Sequence, residues 1–131
     1  MLFVIQKGYN GVKRQLPENI VYCVSSVQSI IDEGLKFYFT DGHAINYLSS
    51  CYDSGMVKSI NEIVDIKATK AIDWTVARDL KRKKEAEFLI GSDIPSNCIL
   101  GFVCYNTKSK NKLEQMNVGE KIININPQYY F

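Results

Sequence analysis

The stretch IVYCVSSVQSIIDEGLKFYFTDG, residues 20–42, constrains the fold most, because its apolar pattern changes period on either side of each punctuation mark. Ile20 to Val24 is a short apolar run suited to a strand. Ser25 or Ser26 then offers a hydroxyl to the free amides at the start of a helix across VQSIIDE, and Gly34 supplies its stop. LKFYF returns to aromatic and apolar residues that fit a second strand. Thr40, Asp41 and Gly42 punctuate again, before a predicted helix around Ala44 to Cys51. Such alternation favours a mixed α/β or α+β domain rather than a helical bundle.

The remainder continues the pattern. Met56 to Ile63 has some helical spacing, and Ile72 and Trp74 are candidate anchors of a short segment. Glu87 to Ile90 enters a strand, Asp93-Ile-Pro95 turns it, and Ile99 to Tyr105 supplies another strongly apolar run. Lys108 to Met116 is predicted helical, and Lys121 to Ile125 is a strand that Pro127 ends. Tyr129, Tyr130 and Phe131 are then placed to cover an apolar edge. With no internal repeat and no low-complexity linker, one domain over residues 1–131 is expected.

Charge is informative through its distribution. The formal net charge is only +2, yet Arg78, Lys81, Arg82, Lys83 and Lys84 fall in one short stretch. Read from the residues alone, that cluster is first a solvated helix face, with contacts to nucleic-acid phosphates as the alternative. Arg82 is the sharpest of these assignments, because a guanidinium can grip a phosphate at two points. Cys23, Cys51, Cys98 and Cys104 lack CxxC spacing and His43 is the single histidine, so four reduced thiols and no metal are expected. The first apolar run ends at Ile5, too short for a signal-peptide core, so a cytoplasmic protein without a membrane partner is expected.

Two enzyme classes are disfavoured. The carboxylates of Asp79, Glu85, Glu87 and Asp93 are close in sequence, which does not set two of them across one sugar bond. There is also no GxxxxGK[ST] loop to cradle a nucleotide's phosphates. Phe37, Tyr38, Phe39, Tyr47 and Tyr52 are read as sheet packing or a pocket cap, and an aromatic would stack on a base only from an exposed position facing the basic surface. Trp74 is read as apolar coverage.

The segments FYFTDGHAINYLSSCYD and DLKRKKEAEFLIGSDIP, with AIDW and the terminal YYF, are together more specific than their residue types. In this order they resemble the DarT family of DNA ADP-ribosyltransferases, and the resemblance covers nearly the whole chain. It implies an ADP-ribosyltransferase-like α+β fold with a central mixed sheet flanked by helices, NAD+ as co-substrate, and a nucleobase of single-stranded DNA as acceptor. A toxin opposed by a macrodomain antitoxin is implied as well. Met1-Leu2 resembles a point near the middle of a family member, so this chain is expected to be the later part of the fold. An upstream histidine segment and an arginine that grips NAD+ would then be missing, and a second chain completing the fold is a possible partner.

The family's alanine-glutamate-phenylalanine motif falls on Ala86-Glu87-Phe88, which makes Glu87 the implied catalytic residue. The threonine-aspartate-glycine-histidine-alanine motif adds His43, to orient DNA or take a proton, and places Asp41 and Gly42 beside it with the DNA contacts. Glu85 is the poorer candidate, although strand alternation would put it on the same side as Glu87 if the strand begins early. Beside the transferase reading stands an alternative, a catalytically incomplete nucleic-acid-binding or interaction remnant of such a toxin.

Overall fold

The computed structural model describes residues 2–9, 11–71, 73, 77 and 79–130. The chain opens with helix α1, Leu2–Lys7, and reaches strand β1 at Val21–Val24. Helix α2, Val27–Asp32, follows at once because Ser26 is extended and its hydroxyl accepts the Ser29 amide at 3.0 Å. Gly34 ends it in the left-handed region at φ 72°, which a side chain at that position would resist. Strand β2 is Phe37–Thr40 and strand β3 is Cys51–Asp53.

Three short helices come next, α3 at Ile60–Ile63, α4 at Ile66–Thr69 and α5 at Leu80–Lys84. Strands β4, Phe88–Ile90, and β5, Gly101–Cys104, precede helix α6, Thr107–Gln115, whose first turn is capped by Asn106 accepting from the Ser109 amide. Strand β6 is Ile122–Ile125. Ile72, Trp74, Arg78 and Phe131, all singled out in the sequence, lie outside the described residues.

Two compact units emerge. The first, residues 1–33 and 94–131, holds a mixed three-stranded sheet in the order β1-β5-β6. β1 and β5 are antiparallel, whereas β5 and β6 are parallel, with α6 as the crossover that a parallel pair needs. Ile30, Cys98, Cys104, Leu113 and Tyr130 are buried here. The expected aromatic cover is carried by Tyr130, whose hydroxyl lies 3.0 Å from the Ile20 carbonyl and 2.9 Å from that of Val103. Its ring meets those of Tyr22 and Tyr105 edge-on.

The second unit, residues 34–93, holds an antiparallel sheet in the order β3-β2-β4. Along the central strand Phe37 and Phe39 are buried and Tyr38 between them is exposed, the alternation of a half-buried strand. Phe37 stacks on Phe88, and Phe39 on Tyr52, so three of the five aromatics considered for base contacts are packing residues. The architecture is thus α+β, with mixed and antiparallel sheets accompanied by helices.

The helix expected around Ala44 to Cys51 does not form. Asn46 accepts the Leu48 amide on its side chain, and the Asn46 and Ser49 amides bond to carbonyls three residues back. The Ser50 amide is taken by the Asp41 carboxylate at 2.8 Å, and Cys51 then pairs with Thr40 across the sheet. Local side-chain bonds and strand pairing outcompete helical periodicity there. Among the described residues no helix is long and apolar enough to cross a membrane.

Candidate functional site

The second unit gathers the TDGHA turn and the AEF motif at one end of its sheet. The register Phe39↔Phe88 continues one residue further as a backbone bond from the Thr40 amide to the Glu87 carbonyl, 3.0 Å. That pairing brings Glu87 to residues more than forty positions earlier. One carboxylate oxygen, Oε2, accepts the Ala44 amide at 3.2 Å, and the other, Oε1, lies 3.8 Å from His43 Nδ1. The separation is too long for a hydrogen bond.

Glu87 and His43 side chains are 38% and 39% exposed, so a ligand can reach both. The Nδ1 atom of His43 itself is buried without a hydrogen-bond partner among the described residues. A buried polar atom is ordinarily paired, so this one is free to meet a ligand or the Glu87 carboxylate. Glu85, the competing carboxylate, sits at the C-cap of α5, where its amide bonds back to the Lys81 and Arg82 carbonyls. Glu85 thus caps α5 whereas Glu87 directly precedes β4, and Glu87 is the one beside His43.

Arg82 has a different part from the free phosphate contact expected of it. Its Nε and Nη2 donate to the two oxygens of Asp79 at 2.6 and 3.0 Å, and Nη1 donates to Asp41 at 3.1 Å and to Ser49 at 3.2 Å. The side chain is only 11% exposed. The Arg82 guanidinium holds the Asp79 carboxyl below the usual carboxylate range, and the Asp79 carboxylate in turn pushes Arg82 up. The Arg82 carbonyl also accepts the His43 amide at 2.9 Å. Arg82 thus ties α5 to the turn that carries His43, and four of its five N–H donors are engaged inside the protein.

Asp41 and Gly42 belong to the same clamp. Asp41 serves Arg82 and the Ser50 amide. A Cβ on Gly42 would collide with Arg82 Nη1 and stand 2.8 Å from both Arg82 Cγ and Ser49 Oγ. Glycine is needed because the arginine lies across it. Of the other basic residues, Lys83 pairs with Asp65 at 3.5 Å, Lys84 donates to the Ala71 carbonyl, and Arg78 lies outside the described residues. Lys81 is exposed. A cleft of about 460 Å³ adjoins Arg82, lined also by Asp41, Lys83 and the 61–67 segment. Tyr47 is 92% exposed on the loop that follows His43.

Thr40 and Ala44 are the site residues that sequence reading passed over. Thr40 stood in the sequence as punctuation, yet it is buried and its hydroxyl accepts the Glu87 amide at 2.9 Å. Its only sequence signal is its place at the head of TDGHA. Among the described residues there is no group of three or more His, Cys, Asp or Glu side chains able to hold a metal.

A family model described as DarT, ssDNA thymidine ADP-ribosyltransferase, matches residues 1–131. A DNA ADP-ribosyl transferase of Escherichia coli O127:H6 (strain E2348/69 / EPEC) is 30% identical over 126 residues, covering 88% of this chain and 53% of that protein. Its namesake from Thermus sp. (strain 2.9) is also 30% identical, over 132 residues, covering 98% of this chain and 56% of its own length. The chain therefore spans about half the length of the curated relatives it matches. Thermus sp. 2.9 DarT in complex with ADP-ribosylated ssDNA superposes with TM-score 0.85 at 24% identity, over 99% of this chain and 63% of that one. The same protein in complex with carba-NAD+ gives TM-score 0.81 at 26% identity, over 99% and 67%.

Proposed function

The chain belongs to the DarT family, and from that premise we propose that it takes part in ADP-ribosyl transfer from NAD+ to a nucleobase of single-stranded DNA, with Glu87 as the catalytic carboxylate. The observation that carries the reading is the AEF glutamate beside the TDGHA histidine, held by the Ala44 amide and accessible to a ligand. Membership in a family described as acting on ssDNA thymidine makes thymidine the first acceptor to test.

NAD+ supplies the ADP-ribosyl group by breaking the bond from ribose C1′ to nicotinamide, which leaves with the bonding pair while a lone pair of the base forms the new bond to C1′. Positive charge grows on the ribose as this happens. The Glu87 carboxylate stabilises that charge more than it stabilises bound NAD+, and such a difference is what accelerates a reaction. Glu87 can also accept from a ribose hydroxyl and so orient the donor. In this reading His43, beside Glu87, takes the proton released by the attacked base or positions that base. The fit to NAD+ rests on this carboxylate. No metal has a part in the scheme.

Single-stranded DNA is the proposed macromolecular partner, with Lys81 an exposed cation among the described residues of the basic stretch. A toxin role in the cytoplasm, a macrodomain antitoxin, and a second chain completing the fold belong to the same proposal. A second reading, DNA binding without turnover, rests on the same basic stretch, in which Lys81 is exposed.

The experiment incubates the chain with NAD+ and mixed-sequence single-stranded DNA, then measures DNA mass and free nicotinamide. A gain of one ADP-ribose is expected, lost by roughly a hundredfold or more in Glu87→Gln. A companion protein joins the chain to the part of the Thermus relative outside the match. Addition by neither protein would sink the transferase reading. Addition by the joined protein alone, with salt-sensitive DNA binding by the chain, would establish the second reading.

A further inference from the structure

Thr40 is 2% exposed, yet it carries a hydroxyl, and burying one is costly unless both its donor and acceptor capacities are used. Both are. Its single proton is directed at the Gly42 carbonyl, 2.5 Å away, while the Glu87 carbonyl at 3.5 Å is at the limit of any bond. Its lone pair accepts the Glu87 amide at 2.9 Å. Beyond Gly42 the Ala44 amide reaches the Glu87 carboxylate. A closed ring of bonds results, from Thr40 to Gly42, along the turn to Ala44, across to the Glu87 side chain, and back through the Glu87 amide.

We infer that Thr40 is a positioning residue, whose hydroxyl fixes the Glu87 backbone and the His43 turn to each other and so aims the Glu87 carboxylate. The consequence for catalysis rests on the reading of Glu87 given above, whereas the positioning itself does not. Without the hydroxyl, the Glu87 amide and the Gly42 carbonyl lose a common anchor in a place that water does not reach. Valine reproduces the shape of threonine and neither hydrogen bond, and serine reproduces both bonds without the methyl.

The test compares backbone amide spectra of wild type, Thr40→Val, Thr40→Ser and Glu87→Gln. The Ala44 amide reports directly on the carboxylate that it touches. In Thr40→Val this resonance is expected to move most of the way to its position in Glu87→Gln, and in Thr40→Ser it should stay where wild type has it. An Ala44 amide unmoved by Thr40→Val, or moved as far by Thr40→Ser, overturns the inference. Hydrogen exchange on wild type needs no variant. The Glu87 amide should exchange as slowly as those of β4, and exchange as fast as that of exposed Tyr47 overturns the inference even if Thr40→Val does not fold.

Turnover, measured on the chain or on the joined protein, separates the two claims. Thr40→Val should lower kcat by roughly ten- to a hundredfold while KM for NAD+ stays within about twofold, because a misaimed group costs rate rather than binding. Thr40→Ser should restore kcat to within about threefold of wild type. A loss that falls on KM, or that serine fails to rescue, overturns the catalytic consequence. Absence of nicotinamide release from both wild-type proteins sinks the transferase reading alone, and the Ala44 amide still decides the positioning.

Discussion

Replacing Gly42 by alanine adds one methyl group to the most crowded point of the clamp. Gly42 is outside the left-handed region, so the backbone accepts alanine, and stiffening of the unfolded chain contributes about 0.4–1 kcal/mol of stability. Against this, the new Cβ collides with Arg82 Nη1 and lies 2.8 Å from Arg82 Cγ and Ser49 Oγ. The arginine cannot swing aside freely, because Asp79 holds it by two bonds. Overpacking of this kind costs about 1–3 kcal/mol. If Nη1 also gives up Asp41 and Ser49, two hydrogen bonds worth about 1 kcal/mol each are at stake. The net expectation is a loss of about 2 kcal/mol, or about 1 M in urea midpoint for a denaturant slope of about 2 kcal/mol/M. The double variant Gly42→Ala/Arg82→Ala should lose less than the sum of the single variants by more than about 0.5 kcal/mol, since removing the arginine removes the obstacle. Unchanged stability in Gly42→Ala, or strict additivity with Arg82→Ala, would refute the view that glycine is present to admit the arginine.

Lys81→Ala should weaken single-stranded DNA binding and reduce its salt slope by about one, whereas Arg82→Ala should leave that slope unchanged; fluorescence anisotropy over a salt series checks both, and the reverse pattern would restore Arg82 as the phosphate contact. Burial pushes the Tyr130 phenol up to about 12. The unfolded chain loses this proton first, near the ordinary value of about 10, so stability is full below that pH and falls as pH rises from about 10 to about 12. Tyr130→Phe should flatten this alkaline loss in denaturation curves, and an equal slope in the variant would contradict the assignment. Ser26→Ala should cost about 1 kcal/mol by uncapping α2; a midpoint unchanged by the substitution would show that the cap carries no stability.

Elements governed by neighbouring residues were legible in the sequence. The strand at Ile20 to Val24, the capped helix after it and the stop at Gly34 all appear in place, because periodicity, a serine hydroxyl and a positive φ act within a few residues. The strand at Ile99 to Tyr105, the helix at Lys108 to Met116 and the strand at Lys121 to Ile125 follow suit, with ends shifted by a residue or two. The segment Ala44 to Cys51 misleads because its helical spacing competes with Asp41, which captures the Ser50 amide, and with β2, which recruits Cys51.

The sequence by itself determined which residue types are available for chemistry, one histidine and a glutamate in a motif beside a basic run, and it determined the local elements that carry them. Only the tertiary structure decided their partners. Pairing of β2 with β4 sets Glu87 against residues 40–44, and Arg82 is drawn out of the basic run to join Asp79, Asp41 and Ser49. Thr40 changes from a turn residue to the anchor of the Glu87 amide. Sequence spacing does not encode contacts between residues forty positions apart. They are selected when sheet pairing buries Phe37, Phe39 and Thr40, and the Thr40 hydroxyl carried inward with them finds its partners on Gly42 and Glu87.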